Sequence, residues 1–68
     1  MGEFQKSVPN EWGWVESGAE VTDTTTGLVY HLENQQVWIV LKGPDGRTMR
    51  FEPFQRIDHK RFEIRLRG

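Results

Sequence analysis

The chain has 68 residues, with nine Lys and Arg, ten Asp and Glu, and a formal net charge of −1. That length allows one domain, whose core supplies only about 3–5 kcal/mol of net stability unless something staples it. Cysteine is absent, so no disulfide is available and the fold must rely on tight packing or oligomerisation.

The lack of cysteine fits a reducing compartment. The longest apolar run, Val37-Trp38-Ile39-Val40-Leu41, is strand-sized and far short of the ~18 residues that mark a membrane span. Residues 1–6 have neither a basic start nor an apolar stretch, unlike a signal peptide. These features predict a soluble, cytoplasmic protein with no membrane partner. The near-neutral balance hides an asymmetry. Residues 1–34 carry six acidic residues against Lys6, and residues 35–68 carry eight basic against four acidic. Such a split marks either an anionic partner or two halves that attract each other.

Residues 1–11 lack periodicity and contain Pro9 and Asn10. They predict a flexible N-terminal arm, with residues 12–68 as a single small domain. Beyond the arm, Val, Ile, Thr and aromatic residues recur at period two, the pattern of strands. Five strands are predicted. The first covers Trp12 to Glu16, with a possible continuation through Glu20 to Thr22 after Ser17-Gly18. The others run over Gly27 to Leu32, Gln36 to Lys42, Arg47 to Glu52 and Arg61 to Arg67. Residues 53–58 read as a turn or a short 3₁₀ segment.

Register can be argued for the middle hairpins. A three-residue hairpin loop is a type I turn followed by a residue at positive φ. Pro44-Asp45-Gly46 supplies that chemistry, with Asp45 in the bridge region and Gly46 at positive φ. Leu41 then faces Met49, and Ile39 faces Phe51. A slip of one residue would flip every side chain, so turn and apolar pairing agree independently. Between the second and third strands, a loop of two or four residues keeps one parity. It is expected to set Leu32 against Val37, Tyr30 against Ile39 and Leu28 against Leu41. The predicted core face is therefore Leu28, Tyr30, Leu32, Val37, Ile39, Leu41, Met49 and Phe51, joined by Phe62, Ile64 and Leu66.

A twisted meander must cover its apolar face, and five short strands do so most cheaply by curling on themselves. The expected fold is all-β, a small five-stranded antiparallel meander curled into a barrel. Over residues 18–67 it resembles an SH3-like small barrel in architecture alone, and fold by itself does not assign function.

The same parity places His31, Trp38 and Glu52 in one row of the outer face, with Val29, Val40 and Arg50 in the next. A Trp there implies either cover or contact. Trp12, Trp14 and Val15 could fold across Trp38 and Val40 as a second small core. Alternatively, Trp38 and Arg50 form a partner surface, since Trp and Arg are enriched at hot spots and a nucleic-acid base stacks on an exposed ring while Arg engages phosphate. Self-association through that patch is the third reading. The last strand offers a second surface. Arg61, Arg65 and Arg67 point outward, with Arg56 and Lys60 nearby, and Arg binds phosphate or carboxylate in a bidentate manner. Alternating charge on an edge strand also guards against unwanted pairing.

Signals for catalysis are weak. His31 and His59 have no ligand or triad spacing. Asp23-Thr24-Thr25-Thr26-Gly27 lacks the phosphate-loop arrangement and reads as a turn. No metal and no cofactor is expected. The sequence thus predicts a non-catalytic binding module or accessory regulator. Its expected partner is anionic, nucleic acid first, engaged through Trp38, Arg50, His31, Val40, Arg61, Arg65 and Arg67. The alternatives are an adaptor or inhibitor docking on a protein through Trp38, Val40 and a strand edge, and a homo-oligomeric structural subunit.

Overall fold

The computed structural model describes residues 8–66. Five strands form one antiparallel sheet: β1 (Glu20–Asp23), β2 (Leu28–Asn34), β3 (Ile39–Lys42), β4 (Thr48–Phe51) and β5 (Phe62–Arg65), in the order β4-β3-β2-β1-β5. The all-β expectation holds. The sheet is not closed by backbone pairing between β4 and β5.

The β3–β4 hairpin has the predicted register, with Ile39 opposite Phe51 and Leu41 opposite Met49. Its loop is Pro44–Gly46, closed by the Gly43 N–H on the Arg47 carbonyl at 2.8 Å. Gly46 takes positive φ (73°) as expected, but Asp45 also enters the left-handed region (φ 60°, ψ 28°) rather than the bridge region. Asp is one of the few residues with a side chain that visits this region readily.

The β2–β3 register differs from expectation by two residues on each strand. Leu32 lies opposite Leu41, and Asn34 opposite Ile39. A shift of this kind preserves which side chains share a face, so hydrophobic parity cannot detect it. Parity is retained, and Tyr30, Leu32, Ile39 and Leu41 are all buried on one side. Val37 and Trp38 leave strand β3 altogether. They sit in the connecting loop, where Val37 is 72 % exposed instead of joining the core.

That loop is organised by Asn34. Its Oδ1 accepts from the Gln36 N–H (3.0 Å), while Nδ2 donates to the carbonyls of Gly13 (3.2 Å) and Val15 (3.3 Å). The Asn34 N–H donates to Ser17 Oγ at 2.8 Å. One side chain therefore ties the hairpin end to the N-terminal segment.

Residues 12–16 are not a strand. Trp12–Trp14 form a 3₁₀ turn, in which residues i and i+3 eclipse. Trp12 and Val15 consequently face the same way, and both are buried in the main core. The N-terminal segment does act as a cover, but over the inner face of the sheet and not over Trp38 and Val40. Of the expected arm, residues 1–7 lie outside the described residues. Asn10 accepts from the Ile57 N–H at 2.8 Å, and Glu11 bridges to Arg56.

Trp12 fills the side where the sheet stays open. It stacks on Phe51 of β4 (centroids 4.4 Å apart) and meets Phe62 of β5 edge-on (5.4 Å); Phe51 and Phe62 are 5.7 Å apart. Aromatic contact thus draws the two edge strands together where hydrogen bonds do not. Val15, Val21, Ile39 and Leu41 complete the centre, each contributing about 1.5–3 kcal/mol by leaving water.

Candidate interaction surfaces

The outer face carries three cross-strand rows, one of which, Val29, Thr22 and Glu63, takes Val29 out of its expected row with Val40 and Arg50. A second runs over all five strands: Thr48, Lys42, His31, Glu20 and Arg65. The third contains Arg50, Val40 and Glu33. The expected row of His31, Trp38 and Glu52 does not form, because Trp38 lies in the loop and Lys42 stands opposite His31.

Trp38, Val40 and Arg50 are nevertheless brought together. The Arg50 guanidinium lies 5.0 Å above the Trp38 ring, and Val40 is the direct strand partner of Arg50. Trp38 keeps 38 % exposure, but Val40 is buried. One face of the indole is therefore already occupied by a cation.

The other candidate residues fall elsewhere. His31 and Arg65 are exposed and line an open depression of about 420 Å³ with Gly18, Glu20 and Leu66. Arg61 turns to Asp23, a buried carboxylate with 2 % exposure. Its Nη2 reaches Oδ2 at 3.1 Å and its Nε reaches Oδ1 at 3.4 Å. The same guanidinium lies 4.8 Å over the Phe62 ring. The hydrogen bond from Arg61 holds the Asp23 carboxyl below its ordinary value against the opposing effect of desolvation, with help from the Thr25 N–H. Asp23 in turn pushes Arg61 further up. Arg67 lies outside the described residues.

Lys42 pairs with Glu33 at 3.2 Å. Glu33 also accepts from Gln35 Nε2 at 2.8 Å, and that bond, then Lys42, lowers its pKa. Cations and carboxylates interleave across the outer face, so no single-sign surface forms there. Among the described residues no group of three or more His, Asp or Glu could hold a metal ion, and no helix is long and apolar enough to cross a membrane.

A further surface was not singled out by sequence reasoning. Trp14 is 74 % exposed and Phe54 is 82 % exposed. They flank a groove of about 210 Å³ whose other lining residues are Glu11, Gly13 and Pro53. Its floor is a backbone contact: the Gly13 N–H donates to the Pro53 carbonyl at 2.8 Å, and the Trp12 N–H to the Gln55 carbonyl at 3.1 Å. A Cβ at Gly13 would sit 2.8 Å from the Pro53 oxygen, so only glycine permits this approach. Trp14 Nε1 donates to Glu11 Oε1 at 3.2 Å, which orients the ring. The sequence signal was Trp12-Gly13-Trp14 itself: at 3₁₀ spacing the two indoles cannot share a face.

No family model, curated protein or solved structure matches the chain.

Proposed function

We propose that this protein is a non-catalytic binding module that docks on another protein. One observation carries the reading: Trp14 and Phe54 stand in solvent beside a core that Trp12, Phe51 and Phe62 complete without them. Exposed large apolar side chains grouped around a concavity are characteristic of interaction sites. The strand order, with a turn leading into β5 and Trp12 filling the open side, supports reading the architecture as an open form of a small SH3-like barrel. Lack of cysteine supports a cytoplasmic setting.

The test is affinity capture with the intact chain, comparing wild type, Trp14→Ala, Phe54→Ala and Trp38→Ala after nuclease treatment. Loss of a captured protein with the first two variants, and retention with Trp38→Ala, supports docking through this face. Equal capture by all four refutes it.

A second reading, an anionic partner such as nucleic acid, is favoured by Arg50 poised over Trp38. It has less support because Arg61 and Lys42 are already paired with carboxylates. Nucleic-acid binding through charge weakens steeply with salt. Binding of a single-stranded oligonucleotide that falls between 50 and 200 mM salt by about tenfold or more would favour this reading, provided that it is lost in Arg50→Ala.

A further inference from the structure

We infer that the Trp14–Phe54 groove takes a cationic side chain, Arg or Lys, presented by an extended segment of the partner protein. This rests on the docking reading above and names the chemistry of what docks. At about 210 Å³, the groove is below the ~300–1,000 Å³ typical of small-molecule pockets, which suits one side chain rather than a whole ligand.

Its chemistry selects a cation. Two exposed aromatic side chains flank it, and a ring face attracts positive charge. The indole N–H of Trp14 is engaged by Glu11, leaving the ring to offer its apolar faces. The Glu11 carboxylate lines the groove and has no salt bridge among the described residues. The two segments that build the walls, residues 11–16 and 52–55, contain Glu11, Glu16 and Glu52 and neither Lys nor Arg. Arg56, the backbone bridge partner of Glu11, lines an adjoining depression with Pro9, Asn10, Glu11 and Trp14 and does not line the groove itself. A phosphate backbone would meet carboxylates here, whereas an Arg or Lys side chain meets aromatic faces and a counter-charge together.

The site is also preformed. Gly13 and Pro53 are locked by a backbone hydrogen bond, and each precedes its aromatic directly, so Trp14 and Phe54 are held apart by the chain itself. An extended, proline-flanked segment is the simplest carrier, because it loses little entropy on binding.

The experiment is a titration of the ¹⁵N-labelled chain followed by NMR. The probe is the blocked peptide Gly-Pro-Arg-Pro-Gly, with Gln and Glu analogues at the central position. The three indole N–H signals are assigned with single Trp variants. The Arg peptide should shift the Trp14 indole signal saturably and leave the Trp38 signal in place. The Gln analogue should bind about two- to fivefold more weakly, the range expected of an exposed cation–π contact, and the Glu analogue more weakly still. Trp14→Ala and Phe54→Ala should each remove binding. Glu11→Gln keeps an acceptor for the Trp14 N–H but removes the charge, and it should weaken the Arg peptide and flatten its salt dependence.

Equal binding of the Gln or Glu analogue, an unmoved Trp14 signal, or a Trp14 signal that shifts on dilution of the protein alone would each overturn the inference. The last of these would assign the groove to a second copy of the chain. If peptides fail while capture still depends on Trp14, the cation inference falls and protein docking stands. If capture is also indifferent to Trp14, both fall.

Discussion

Trp12 lies almost parallel to Phe51, with ring planes 10° apart and centroids 4.4 Å apart. The pair joins the N-terminal segment to edge strand β4, and Phe62 meets both rings edge-on. Removing Trp12 would leave a cavity where the sheet has no backbone closure. Trp12→Ala should cost about 3–5 kcal/mol, comparable to the whole net stability expected of a domain this size. The far-UV circular dichroism spectrum should be that of an unfolded chain at 25 °C. Trp12→Phe should stay folded with a reduced urea midpoint.

Acid sensitivity should centre on Asp23. Its carboxyl is held below its ordinary value of 3.8, chiefly by Arg61. The folded state therefore binds this proton less readily than the unfolded state does. The resulting stabilisation is complete above the unfolded value and is lost as pH falls through the lower folded value. Urea midpoints measured from pH 6 down to pH 2 should show this loss on the acid side. Asp23→Asn should lower the midpoint at pH 6 and make the acid limb shallower. An unchanged acid limb would remove Asp23 from the explanation.

Asn34 should matter more than its position at a strand end suggests. Its Nδ2 holds the carbonyls of Gly13 and Val15, and its Oδ1 holds the Gln36 N–H. Asn34→Ala should cost about 1–3 kcal/mol, the cost of leaving partly buried polar groups unpaired. Asn34→Asp should be worse, because a carboxylate would face two carbonyl oxygens. Thermal denaturation of the two variants checks the order.

Two glycines should fail for different reasons. Gly46→Ala meets nothing within 4 Å but is held at φ 73°, and should cost about 1–2 kcal/mol in backbone strain without moving the Trp14 indole signal. Gly13→Ala meets the Pro53 carbonyl oxygen and Cβ at 2.8 and 2.9 Å. It should cost about 1–3 kcal/mol by overpacking and should also shift the Trp14 signal, because the groove floor must open.

Trp38→Ala should leave the fold intact. Trp38 sits in a loop, and its described contact is the Arg50 guanidinium, worth about 0.5–1 kcal/mol at an exposed site. A drop in the urea midpoint corresponding to more than about twice that would mean that Trp38 shields Val40 from water, a larger structural role.

The β3–β4 hairpin was legible because two signals converged: Pro44-Asp45-Gly46 set the loop length, and Ile39, Leu41, Met49 and Phe51 set the parity. The β2–β3 hairpin had only parity, which repeats every two residues. What selects its register is Asn34, held by Ser17, Gly13 and Val15, and those contacts are remote in sequence. Trp12 and Trp14 read as alternate residues of a strand because a three-residue 3₁₀ turn is too short to show a period. The outer-face patch was legible only as Trp38 beside Arg50. Arg61 looked available in the sequence, since its partner Asp23, the last residue of β1, reads there as part of a turn and lies far away along the chain.

Strand β1 lies between β2 and β5, with Glu20 facing His31 on one side and Arg65 on the other. One neighbour is close along the chain and the other follows all the remaining strands of the sheet. A nascent chain can zip the β1–β2, β2–β3 and β3–β4 hairpins early, but Val21 gains its second wall only when Ile64 emerges. Refolding should therefore be paced by this distant pairing, in roughly the millisecond-to-second range of sheets dominated by non-local contacts, with hairpin formation well ahead of it.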